Sequence, residues 1–168
     1  MMGSFVWGED EPEKAETLSV KDSLTKRTLG KLTKMENSVL KDTNLVRKQH
    51  DKPPLTAVSH LNVVAQRHAI NMAYQQKMMH TLDEKGVMDR LKDVSYEFRT
   101  YGENIAMGYL NSKAVVQGWM NSPGHRKNLL DEANLGYTQI GIGAYRDTKG
   151  RWYYCQVFAR PKPGKTYE

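Results

Sequence analysis

The chain has 168 residues, 39% of them apolar and 26% charged, and a single cysteine. That suits one domain with its own core. It excludes a disulfide framework and every cysteine-based zinc finger, and no apolar stretch approaches the ~20 residues of a membrane helix. The formal charge is +6 and the pI near 9.3, yet residues 1–16 hold five acids against Lys14, a net of −4, leaving about +10 on the remainder. Such a body attracts anionic partners such as membranes, cell-wall polymers or nucleic acid, or simply keeps the protein soluble.

Residues 1–30 read as an acidic tail and mixed linker, partly disordered, with no periodicity and a helix-weakening Gly30. The opening residues are too short an apolar run for a secretory leader and turn acidic at once. The folded domain is expected over 31–162. Leu32, Met35, Val39 and Val46 share one face, with Leu40 beside them, which predicts a helix over 31–50 that Pro53-Pro54 must end. Ser59 is the expected cap of a second helix, in which Leu61, Val64, Ala65, His68, Ala69, Met72 and Ala73 make a buried face. A short helix follows at 87–94 with Met88 and Leu91 inward. Tyr101 to Ala106 reads as a turn entering an extended segment, and Ser112 as the cap of a helix carrying Val115, Val116, Trp119 and Met120, stopped by Pro123-Gly124. Residues 137–145 and 152–158 alternate in period two around Asp147-Thr148-Lys149-Gly150, an antiparallel hairpin. Helices first and a hairpin last give an α+β fold with the sheet covered by helices.

Of the five histidines, His50 suits a helix C-terminus, His60 a solvated helix start, and His68 the interior. None has the i, i+4 partner and glutamate of a zinc-protease helix. His80 and His125 are expected where helices give way to loops, and Glu103 lies in a third irregular place, between Gly102 and Asn104. Two imidazoles and a carboxylate can form an open divalent-metal site, an acid–base pair, or three independent polar residues; spacing alone leaves all three open. Gly141-Ile142-Gly143 lacks the third glycine of a dinucleotide loop. Ser122 before His125 has no nucleophile-elbow context. The aromatics at 152–154 and Cys155 read as sheet residues, Cys155 as an inert buried thiol. No nucleic-acid reader motif is present, so no nucleic-acid partner is expected.

Four stretches, in order, carry a family resemblance: residues 40–50 with Pro53-Pro54-Leu55; Met79-His80-Thr81; Gly102-Glu103-Asn104-Ile105-Ala106; and Trp119 through Leu130, with the closing strands at 140–143 and 153–158. Together, over about residues 36–160, they resemble the CAP superfamily of cysteine-rich secretory proteins, antigens five and plant pathogenesis-related proteins, in its bacterial SCP-like form. The resemblance implies an α-β-α sandwich with a small antiparallel sheet, export from the cell, and a cleft where two histidines and two acids meet. His80 and His125 match the histidines and Glu103 the first acid. The second acid of the animal and plant branch is Ser122 here. On this basis His80, His125 and Glu103 are candidate ligands of zinc or another divalent metal, Glu103 alternatively orienting an imidazole. Asn104 and Ser122 would supply hydrogen bonds across the cleft, and Arg126 would pair with a carboxylate. The expected function is a secreted, non-catalytic module binding a metal, a lipid-like ligand or a cell-surface target. The alternative is a metal-assisted, protease-like hydrolase using the same cleft.

Overall fold

The computed structural model describes residues 28–168, so the acidic tail expected at the N-terminus lies mostly outside the described residues. Thr33 starts the first helix, α1 (Lys34–Gln49), with a reciprocal cap: its side chain accepts from the Glu36 amide and Glu36 accepts from the Thr33 amide. The helix therefore begins three residues later than its apolar pattern suggests. A two-residue strand β1 (Thr56–Ala57) leads into α2 (Ser59–Gln75).

Ser59 is not the cap of α2. It is the first helical residue, Val58 holds the cap position without a side-chain bond, and the Ser59 amide and hydroxyl both donate to the main-chain oxygen of Glu168. The last residues of the chain thus close this helix end, and Tyr167 stacks on Tyr96, so packing continues past residue 162. Helix α3 (Val87–Asp93) buries Leu91, but Met88 points outward. Strand β2 (Phe98–Met107) runs straight through Gly102, where a turn was expected. The glycine is needed there for close approach: a Cβ would lie 2.6 Å from the Tyr137 hydroxyl.

Helix α4 (Ser112–Asn121) is capped by Asn111, whose side chain accepts from the Ala114 amide, rather than by Ser112. Pro123 does not simply stop it. The proline occupies the first turn of a new helix, α5 (Pro123–Leu129), where its missing N–H costs nothing. His125 accordingly sits on a helix, not in a loop. Strands β3 (Gln139–Arg146) and β4 (Trp152–Pro161) form the expected hairpin.

The sheet order is β1-β3-β4-β2, parallel between β1 and β3 and antiparallel elsewhere. Both faces are covered. Tyr153, Cys155 and Val157 of β4 pack under α2 with Leu61, Ala65 and Met72. Tyr154 and Phe158 pack on the other face with Val39, Val116 and Trp119. This is an α-β-α sandwich. Helix α2 rests directly on the backbone of β3, because a Cβ at Gly141 or Gly143 would come within 2.0 Å of Leu61 O or 2.1 Å of Ala65 O.

Candidate functional site

Strand β2 is an edge strand, and successive side chains on it point to opposite faces. Glu103 pairs in register with Val157 and so faces the α2 layer; Asn104 pairs with Gln156 and faces the α4–α5 layer. Two adjacent residues therefore tie the edge strand to both helical layers.

On the first face the Glu103 carboxylate is 2% exposed. Its Oε1 lies 2.8 Å from His80 Nδ1 and 4.0 Å from His68 Nε2. Its Oε2 accepts from Arg90 Nη2 at 2.5 Å and from the Cys155 thiol at 3.4 Å. Burial by itself pushes the Glu103 pKa up. The hydrogen bond from His80 and the positive charge of Arg90 more than offset this and hold the carboxyl below the usual glutamate range. His68 is buried, and desolvation pushes its pKa down to about 4 despite the nearby Glu103. It is neutral, with Nε2 donating to Met79 O at 2.9 Å. Burial likewise pushes the Cys155 thiol well up, so it stays protonated. The His80 side chain is 55% exposed and is the part of this cluster that reaches solvent.

On the second face Asn104 is fully buried and donates to the His125 carbonyl at 3.0 Å. Asn128 donates to Asn104 Oδ1 and to the Glu103 carbonyl, each at 3.1 Å. These bonds fasten α5 to the edge strand and fix where His125 emerges. The His125 pKa is lowered, by burial first and then by the charge of His80. Ser122 ends α4 and precedes α5, and its hydroxyl makes no capping bond. Arg126 pairs with Glu132 at 3.0 Å, as expected of a surface ion pair.

The sequence thus located His80, Glu103 and His125 on stretches that the fold brings to one edge, with Asn104 as a buried brace rather than a cleft-lining donor. It missed Arg90 and the part played by His68 and Cys155. A signal for Arg90 existed: Val87, Arg90 and Leu91 fall at i, i+3 and i+4, so the arginine stands on the inward face of α3.

Among the described residues no group of three His, Cys, Asp or Glu side chains has a geometry that holds a metal ion. Glu103 is enclosed, and both of its oxygens already accept hydrogen bonds, from Arg90, His80 and Cys155. Ser122 offers no carboxylate in its stead.

A cavity lies elsewhere. An open, mostly apolar groove of about 670 Å³ runs between the start of α1 and the hairpin end, lined by Met35, Ala144, Tyr145 and Trp152, with Lys34 and Arg146 also on its walls.

The architecture and the two histidines flanking a Glu-Asn edge strand define a class, that of the SCP-like α-β-α sandwich. Residues 40–158 match the CAP family, described as the cysteine-rich secretory protein family, and the chain belongs to it. It is similar to two Bacillus subtilis (strain 168) proteins. One is the uncharacterized membrane protein YlbC, 36% identical over 129 residues, which are 76% of this chain and 35% of that one. The other is YkwD, 30% identical over 145 residues, 86% of this chain and 55% of that one. The chain therefore spans about a third to a half of the length of these relatives. Among solved structures it resembles an extracellular SCP-domain protein of Bacillus anthracis str. Ames (34% identity, TM-score 0.65, 77% of this chain and 44% of that one). An outer surface protein of Borrelia burgdorferi shares the fold, with a TM-score of 0.69 at 23% identity over 77% of this chain and 97% of that one.

Proposed function

We propose that this CAP domain is a non-catalytic binding module of the cell exterior, in which His80 and His125 face the ligand. The observation that carries the reading is the saturation of Glu103. A carboxylate that serves as general base must be within reach of substrate. The one acid of the cluster is enclosed, ionised and fully hydrogen-bonded, so it is engaged in holding His80. The two imidazoles remain to meet a ligand. The exterior location is supported by the relatives, which include an extracellular protein and an outer surface protein. Among the described residues no helix is long and apolar enough to cross a membrane.

Two measurements test this together. The purified chain, with and without added zinc, should cleave nothing in a broad peptide library; turnover that disappears in His125→Ala would establish the hydrolase instead. The same chain should co-sediment with isolated cell-wall sacculi, and a His80→Ala/His125→Ala double variant should bind at least ~10-fold more weakly. Equal binding by both would remove the histidines from the interface.

A second reading concerns the groove. Its volume falls in the range of small-molecule sites, and its apolar walls suit a lipid-like chain. Fluorescent fatty-acid displacement reports on it: Trp152→Glu should weaken uptake, and uptake unchanged in that variant would exclude the groove.

A further inference from the structure

Arg90 touches more of the His80 environment than any ordinary ion-pair partner would. Its Nη2 donates to Glu103 Oε2, while Nη1 donates to the carbonyls of His80 at 3.0 Å and of Lys85 at 2.9 Å. One guanidinium thus grips the carboxylate and, separately, the backbone of the segment that carries the imidazole. Its planar fork allows this; an ammonium offers a single point charge on a flexible stem.

The pairing has a consequence at His80. A carboxylate bound to a guanidinium accepts and does not donate. The His80 Nδ1 that faces it at 2.8 Å must therefore carry the hydrogen. In a neutral imidazole the other nitrogen, Nε2, is then an unprotonated acceptor. Glu103 is enclosed while His80 is half exposed, so it is the Nε2 side that is left to the cleft.

We propose that Arg90 is the positioning residue of the cleft: paired with Glu103, it fixes His80 as the Nδ1–H tautomer and makes Nε2 an outward hydrogen-bond acceptor for the hydroxyl or ammonium groups of a cell-surface polymer. This deepens the binding-module reading and rests on it for the ligand; the tautomer itself does not. Arg90 does not touch the ligand. It acts through Glu103 and the 80–85 backbone. His68 and Cys155 lie on the remaining sides of the carboxylate, and the guanidinium of Arg90 is the group that binds its second oxygen most closely.

The experiment is long-range ¹H–¹⁵N correlation of the histidine rings in the ligand-free full chain near pH 8. The wild type should show His80 Nε2 at an unprotonated, pyridine-like shift and Nδ1 at a protonated, pyrrole-like one. Arg90→Gln should lose this signature, the proton redistributing towards Nε2, with the backbone amide spectrum still that of a folded chain. Arg90→Lys supplies the case in which the glutamine variant fails to fold. It keeps the charge and should keep the Nδ1–H signature, while the amides of residues 80–85 become more mobile because their carbonyl braces are gone. A merely structural arginine would alter stability and leave the ring shifts alone. Wild-type His80 protonated at Nε2, an unchanged signature in folded Arg90→Gln, or a flipped one in Arg90→Lys would each overturn the proposal. A correct tautomer in a chain that binds no sacculi would instead sink only the binding reading.

Discussion

Two buried glutamates in this domain look alike in accessibility and differ in what holds them. Glu36 accepts from the amide of Thr33, the amide of Ala144 on β3 and the side chain of Gln66. These partners cap a helix and join that helix to the sheet. Glu103 accepts from His80, Arg90 and Cys155, which are side chains, and one of them ends in solvent. Bonds from a buried acid to backbone amides stabilise a fold. A buried acid that binds titratable side chains sets their charge and direction, and transmits that to the surface. Burial on its own does not separate the two roles; the chemistry of the partners does.

The sharpest way to break this contrast is to neutralise each acid without changing its shape. Glu103→Gln leaves the Arg90 guanidinium buried beside a neutral amide, and should cost about 3–5 kcal/mol of stability in urea denaturation. Glu36→Gln keeps one accepting oxygen and misplaces a second, so the loss should be roughly 1–3 kcal/mol, with the His80 ring resonances unmoved. Equal losses, or a disturbed His80 in the Glu36 variant, would erase the distinction.

Acidification sharpens it from the other side. The pKa of His68 in the folded protein is lowered to about 4, so between about pH 6.5 and pH 4 the unfolded chain takes up a proton that the native state refuses. Stability is full above that window and falls as pH drops through it, by up to about 3 kcal/mol for this group. Glu103, whose folded pKa is also depressed, adds a further loss at still lower pH, once its carboxylate protonates. Urea midpoints measured from pH 7.5 to 3.5 should show a decline beginning near pH 6.5, and His68→Gln should flatten that first part. A flat profile down to pH 4 in the wild type would contradict the neutral buried imidazole.

The smallest effect belongs to the exposed end of the cluster. His80→Ala and His125→Ala should each change stability by no more than ~1 kcal/mol, since both rings are partly in water; their effect should appear in binding. Thermal denaturation of the single variants checks this.

Much of the arrangement was legible in the residues. Periodicity located α2 and the β3–β4 hairpin, because an apolar face repeats at 3.6 and an alternating strand at 2. The CAP-like motifs located His80, Glu103 and His125. Helix starts at Ser59 and Ser112 were displaced by one residue, since a neighbouring residue took the cap position and the chain end supplied the missing acceptor to Ser59. Gly102 suggested a turn where it serves close approach to Tyr137, a demand that exists only once β2 and the 137 region are packed. The enclosure of Glu103 was hidden for the same reason. Cys155 meets it diagonally across two strands, and Arg90 reaches it from a helix one layer away. Such neighbours follow from register and packing, which no local pattern encodes. The acid of the cluster is thus bonded to partners that the sequence did not single out.

The claim on which the account turns is that Glu103 is ionised at neutral pH and directed inward. Following its side-chain carboxyl carbon by ¹³C NMR as a function of pH tests this at the atom concerned. The account predicts a single titration with a midpoint below the ordinary glutamate value of about 4.3, accompanied by loss of the His80 contact. A midpoint clearly above that value would mean a carboxyl poised to exchange protons near neutrality, and would return the cleft to acid–base chemistry.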